Sequence, residues 1–458
     1  MAVDDDPPPS GARTRRPRSP SCARVIAEPL VKRPPALTFP LNYIFFGCQL
    51  TLLISLIPYH TLKYSFRPST RPRPSWTLRE AVMIEVVKRF LATMDTCGFT
   101  ISTRNPYAEP WKIGYWLRGA VFEWLDGVPQ DLDGGVENDL WTNSRDKVGV
   151  FSWYRQKGVR KSNEEKGQDD EGLVGVFFHG GAYTHNSAAP RSPSSVMPMT
   201  LFQREERFSS MHNVEYRLLP HFPFPAALQD SAAVYISLLR RGIPGHKIVL
   251  IGDSSGAHMS LALSRWIKDQ IRDGYGAERV EVGEDGKKMS WRLEEPGALV
   301  LFSPWVDPSH SFLDSTPETY IKRSNDCDYI FEDGRFRHHL VTSLLGSHPR
   351  EYVLSPYISP GAPGVAPGSF THFPPCFVHY GTGERGQAED ERLIGHLKRD
   401  GVDVEVVCTK DTPHDVLLLS FWRKKQREEI WTGVFKFLAK IGRARKDGSG
   451  GPLETTLP

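Results

Sequence analysis

Short apolar runs of strand length recur down the chain with helical patterns between several of them, and this alternation constrains the fold more than any other feature. The strand-like runs are 148–154, 173–179, 213–219, 247–252, 298–303, 376–381 and 402–409, with helical runs at 226–241, 255–272, 389–400 and 427–441. Strands joined through helices predict an α/β fold, a mostly parallel central sheet with helices packed on it. One large catalytic domain, expected at 146–442, accounts for most of the 458 residues. Polar stretches at 160–171 and 273–288 and the Pro/Gly-rich stretch 359–375 are predicted as exposed loops.

Gly252-Asp253-Ser254-Ser255-Gly256 sits between the run Ile248-Val249-Leu250-Ile251 and a helical run starting near Ala257. A sharp turn there lifts one side chain above the sheet end, and the flanking glycines let strand and helix pack around it, so Ser254 is the candidate nucleophile. In a chain with 39 glycines the pentapeptide alone carries little weight. It gains weight from His179-Gly180-Gly181-Ala182-Tyr183, which ends the strand-like Gly175-Val176-Phe177-Phe178. Glycines at that place let backbone amides approach a substrate oxygen as it becomes negative. Gly180, Gly181 and Ala182, with Ser255, are therefore the candidate oxyanion donors, and His179 is read as structural.

A serine hydroxyl is a poor nucleophile at neutral pH and needs a base. Of the 15 histidines, His414 has the right place: Asp411-Thr412-Pro413-His414-Asp415-Val416 forms a loop after the 402–409 strand, late in the chain. The acid that orients the imidazole is expected after Cys376-Phe377-Val378-His379-Tyr380, where Glu384 is the first carboxylate. Glu389 and Asp390 are the alternatives, both expected inside the next helix with solvent-facing charges.

With Glu215-Tyr216-Arg217-Leu218, Pro223-Phe224-Pro225-Ala226-Ala227, Asp230 and Ser303-Pro304-Trp305-Val306-Asp307, these segments resemble the hormone-sensitive-lipase-like branch of the α/β hydrolases. That branch includes carboxylesterases, arylacetamide deacetylases and fungal steryl acetyl hydrolases, and the resemblance runs from about Val148 to Leu438. It implies an α/β-hydrolase fold with a helical cap, a triad of Ser254, an acid and His414, no metal or organic cofactor, and a structural place for Asp307. The sequence departs from the pattern at Ala182, where a third glycine is usual, at Glu384, where Asp is more usual, and at Ala257, where another glycine is usual. An amide deacetylase would use the same residues, and a non-catalytic hydrolase-fold binding protein is the reading from another class.

Residues 1–38 are rich in Pro, Arg and Ser and are expected to be a disordered tail, as are 443–458. Between them and the catalytic domain, 39–58 is almost wholly apolar and uncharged. It is expected to be a single transmembrane segment, with a buried core helix or a membrane-surface helix as the alternatives. Arg24, Lys32 and Arg33 precede it and Lys63, Arg67, Arg71 and Arg73 follow it, so basic residues assign no orientation. Val82, Val86, Phe90 and Leu91 form one helical stripe in the 75–130 region, read as a helical cap or a membrane-proximal element. The hydrophobic N-terminus resembles that of the membrane-anchored fungal members, which implies a membrane, with the endoplasmic reticulum as a candidate, and lipophilic esters such as acetylated sterols. A net charge of +3 gives no reason for a nucleic-acid partner. The six cysteines form no Cys-x-x-Cys pair, which argues against a zinc or redox site and for buried free thiols.

Overall fold

The computed structural model describes residues 38–110, 117–129, 132, 146–155, 172–282, 288–310, 312–314, 327–330 and 334–446. The expected tails, but for their inner ends, and the expected loop at 160–171 lie outside the described residues. The strands are β1 (Val121–Asp126), β2 (Lys147–Tyr154), β3 (Leu173–Phe178), β4 (Phe208–Glu215), β5 (Ile248–Asp253), β6 (Arg279–Val282), β7 (Lys288–Trp291), β8 (Ala298–Phe302), β9 (Cys376–Gly381) and β10 (Val404–Thr409). The α-helices are α1 (Leu41–Phe66), α2 (Leu78–Cys97), α3 (Val196–Arg204), α4 (Ala226–Arg240), α5 (Ser255–Gln270), α6 (Gly334–Leu345), α7 (Gln387–Arg399) and α8 (Lys424–Lys446).

Eight strands form one sheet in the order β1-β2-β4-β3-β5-β8-β9-β10. Pairs from β4 to β10 are parallel, and β1–β2 and β2–β4 are antiparallel. Parallel neighbours need a long crossover, and α3, α5, α6 and α7 lie in those between β3 and β4, β5 and β8, β8 and β9, and β9 and β10. Side chains of a strand alternate between faces, so Ile248 and Leu250 of β5 pack into one core with Leu228, Leu261 and Leu393. Val249 and Ile251 pack into the other with Leu201, Trp431 and Ala81. Helices on both faces leave the central strands dry, which explains why β3 and β5 are apolar without a polar alternation.

Several places differ from the sequence expectation. The strand expected at 213–219 is Phe208–Glu215, because Tyr216 and Arg217 turn out of the sheet to satisfy buried partners. Arg217 Nε lies 3.0 Å from Asp230 on α4, with both side chains 2% exposed or less. Removing one member of such a pair strands a buried charge. Asp230→Ala is therefore expected to lower unfolding stability by about 3–5 kcal/mol, read as a reduced urea midpoint; an unmoved midpoint would contradict this role. The second difference is at 273–288, where β6 and β7 pair as an antiparallel hairpin instead of a loop. Third, the sheet begins upstream of residue 146, with β1 paired to β2 from Val121↔Ser152 to Asp126↔Lys147. Fourth, Cys48 and Cys408 are exposed, on the outer side of α1 and on the edge strand β10, whereas Cys97, Cys327 and Cys376 are buried.

α1 runs past the expected end at 58 because packing carries it beyond Pro58 to Tyr64, which is buried and bonded to Glu85 of α2. α2 is closed by local chemistry at both ends. Thr77 and Glu80 form a reciprocal capping box, and Gly98 adopts φ 64° as the left-handed stop. Its most buried residues include Ala81 and Ile84 as well as Val82, because α2 lies between α1 and the body and so has two covered faces.

Candidate active site

The turn after β5 is built by close packing. A Cβ on Gly252 would collide with the Gly256 backbone, and one on Gly256 with the Phe178 carbonyl, so both positions require glycine. Ser254 takes φ 51° and ψ −117°, a conformation that costs on the order of 1–3 kcal/mol for a residue with a side chain. Surrounding bonds hold it there: its amide donates to the Phe302 carbonyl at 2.9 Å, and its carbonyl accepts from Trp305 at 3.1 Å. Within 251–260 every residue is buried except Ser254.

The segment after β3 folds against this turn. Gly181, Ala182 and Tyr183 all have positive φ, at 115°, 52° and 58°. Among the described residues the amides of Gly181 and Ala182 have no protein acceptor, and the Ser255 amide stands at the first position of α5. Gly180 differs from the expectation. Its amide donates to Asp253 Oδ1 at 2.9 Å, so it is already used in fastening the two segments together. His179 stacks on Tyr216 at 4.2 Å, and burial pushes its pKa down to about 4, which makes it a neutral structural ring.

On the far side, Glu384 and His414 meet. Glu384 Oε1 accepts the Gly381 amide at 2.6 Å and the Ser303 hydroxyl at 2.7 Å, leaving Oε2 3.1 Å from His414 Nδ1. Glu384 is 1% exposed. Glu389 and Asp390, expected to face solvent on the next helix, are buried in the first turn of α7. Burial foremost, then the Glu384 charge, pushes the Asp390 carboxyl well above the usual carboxylate range.

Ser254 and His414 are not joined by a hydrogen bond among the described residues. His414 Nε2, the nitrogen a base would turn toward the serine, lies 3.2 Å from Asp415 Oδ2. Burial alone would depress the imidazole, but the Asp415 and Glu384 carboxylates outweigh it and hold His414 well above the ordinary histidine range. A base must be neutral to act, so the ascending limb of kcat/KM is expected at a pH above that of an unperturbed histidine. Asp415→Asn removes one of those charges and is expected to move the limb toward lower pH, as measured by a pH–rate profile. An unmoved limb would remove Asp415 from this role.

Four site residues had weak or no sequence signal. Asp253 and Asp415 adjoin Ser254 and His414 and gain their roles from turn geometry; Asp415 has φ 43° and donates its amide to Ser303. Ser303, at φ 42°, joins the Glu384 and His414 loops. Asp328 is fully buried and accepts the Arg385 amide at 2.9 Å and the His414 amide at 3.3 Å, from a stretch with no motif. Asp307, His310 and Glu389 bring potential metal-ligand atoms within 4.8 Å of one another. The Arg392 guanidinium, 2.9 Å from Asp307, already balances charge there.

The N-terminal elements reach both halves of the site. Ser75 and Trp76 donate to Asp411 at 2.8 and 2.7 Å, ahead of His414, and Asp95 at the other end of α2 lies 3.0 Å from His185, just past Ala182.

Residues 175–418 match a family described by the alpha/beta hydrolase fold. An acetyl-hydrolase of Streptomyces hygroscopicus is 26% identical over 282 residues, 62% of this chain and 73% of that protein. An esterase of Acinetobacter venetianus is 28% identical over 260 residues, 56% of this chain and 67% of that protein. The crystal structure of EstE5 soaked by ethyl alcohol superposes with a TM-score of 0.50 at 18% identity, over 80% of this chain and 100% of that one, a likeness of fold.

Proposed function

The chain belongs to the α/β-hydrolase family and is an ester hydrolase of the esterase/lipase type, and on that premise we propose that Ser254 is its nucleophile, His414 its base and Glu384 the acid that orients the base. The observation that carries this reading is that Ser303, next to the Phe302 carbonyl that holds the strained Ser254, bonds both the His414 loop and the buried Glu384 that holds His414 Nδ1. His414 exchanges Asp415 for Ser254 at Nε2 and takes the hydroxyl proton as Oγ attacks the ester carbonyl. The amides of Gly181, Ala182 and Ser255 receive the oxyanion, each worth roughly 3 kcal/mol of transition-state stabilisation. The imidazolium then protonates the leaving alcohol, and water, deprotonated by the same ring, releases the acid from the acyl-enzyme.

The substrate we propose is a short acyl group on a lipophilic alcohol, an acetylated sterol being the leading case. The relative named an acetyl-hydrolase supports a short acyl chain. The apolar helix α1 supports attachment to a membrane, where such alcohols reside. Rates on acetyl, butyryl and decanoyl esters of one sterol and one aryl alcohol test this. Acetyl esters are expected to be fastest, and a preference for decanoyl esters would overturn the short-acyl reading.

A further inference from the structure

α1 has no charged residue from Leu41 to Leu62, and its outer side is bare: Ile44, Ile54 and Leu62 are 61%, 60% and 56% exposed. A run this long and apolar is ordinarily taken to cross a bilayer. Yet α1 does not stand away from the protein. Cys97 Sγ donates to the Asn42 carbonyl at 3.6 Å, Arg89 to Gln49 at 3.4 Å and Tyr64 to Glu85 at 2.9 Å, so α2 runs antiparallel beside α1 along nearly all its length. α2 is itself tied to the body, by Ala81 and Ile84 in the core and by Glu80 paired with Arg423 at 2.8 Å. An α1 set across the membrane would carry Glu85, Lys88 and Arg89 to hydrocarbon depth, where a single charged side chain is already costly.

We propose that α1 lies flat in the interfacial layer of an anionic membrane as an in-plane docking helix, a proposal that rests on the membrane attachment inferred above. An in-plane helix normally supplies its own polar face; here α2 is that face. Aromatic rings, which favour the headgroup level, stand exposed at both ends: Phe39 81%, Tyr43 60%, Tyr59 56% and Phe66 81%. The groove between the two helices encloses about 330 Å³, with Leu53, Ile57, Val86 and Ala92 on its walls and Lys88 and Arg89 beside them, together with His60 and Glu85, whose carboxylate accepts from Tyr64. Apolar walls next to cations match the acyl chain and headgroup of an anionic lipid. Lys63 and Arg67 at the end of α1 carry the same sign of charge. Because Ser75 and Trp76 just before α2 touch the Asp411 loop and Asp95 of α2 touches His185, this docking brings the bilayer to the site from which a lipophilic ester would come.

The test uses the full chain with one epitope tag before Met1 and another after Pro458. Protein is floated with phosphatidylcholine vesicles with and without phosphatidylserine, and membranes from expressing cells are treated with protease. The expected results are stronger flotation with phosphatidylserine and cleavage of both tags from the same side. Ile54→Asp should float about tenfold less while hydrolysing a soluble ester at the wild-type rate. Protection of one tag alone would establish a span and overturn the in-plane helix. Undiminished flotation of Ile54→Asp, or a dimer that this substitution dissociates, would overturn the assignment of that face to lipid. Wild-type protein that neither floats nor sediments with membranes would overturn the membrane attachment itself.

Discussion

Ser254→Ala is expected to lower kcat for a p-nitrophenyl ester by about a millionfold, the scale seen when a triad nucleophile is removed. The expectation follows from the turn. Gly252 and Gly256 permit one raised position, and Ser254 fills it as the one residue of 251–260 that is not buried. Ser255, next in sequence, is fully buried and its hydroxyl accepts the Tyr183 amide, so it cannot take over the attack. The variant should fold as the wild type does, because alanine needs no partner that the serine had. Stability unchanged with activity lost is the expected pair of readings, and retention of more than about a hundredth of the wild-type rate would remove Ser254 as the nucleophile.

Glu384→Gln is expected to cost about ten-thousandfold in kcat with little change in KM. The carboxylate is divided by its partners: Oε1 is held by the Gly381 amide and the Ser303 hydroxyl, and Oε2 faces His414 Nδ1. A glutamine keeps its carbonyl oxygen on the Gly381 donor and so turns its NH2 toward Nδ1. The ring then accepts at Nδ1 and carries its proton on Nε2, where it can no longer receive the serine proton. Near-normal turnover would transfer the role to Glu389 or Asp390, of which Asp390 is buried and close enough to feel the His414 charge.

How much of this was legible in the sequence depended on whether a residue's role is local. The elbow at Ser254 and the turn after His179 were legible because glycine spacing and adjacent apolar runs specify a tight strand–turn–helix on their own. The parallel sheet was legible from alternation, and the strand positions from doubly buried runs. β1 was not, since an edge strand with one wet face leaves a weak apolar pattern and its pairing lies 20 or more residues away. Asp328 and Ser303 were not, because their work is to accept or donate to loops brought together only by the sheet. Asp415 was visible as a neighbour of His414, but its contact with Nε2 depends on a positive φ that no residue type at that position announces. The 39–58 run within α1 was legible as apolar and uncharged and α2 as a helical stripe, while the packing of the two against each other reveals itself only in three dimensions.

Labelling with a fluorophosphonate, which reacts with an activated serine, followed by peptide mass spectrometry tests the account most directly. One adduct is expected, on the peptide containing Gly252-Asp253-Ser254, appearing in step with the loss of esterase activity and more slowly in Glu384→Gln. An adduct on another residue, or full inactivation with Ser254 unmodified, would contradict it.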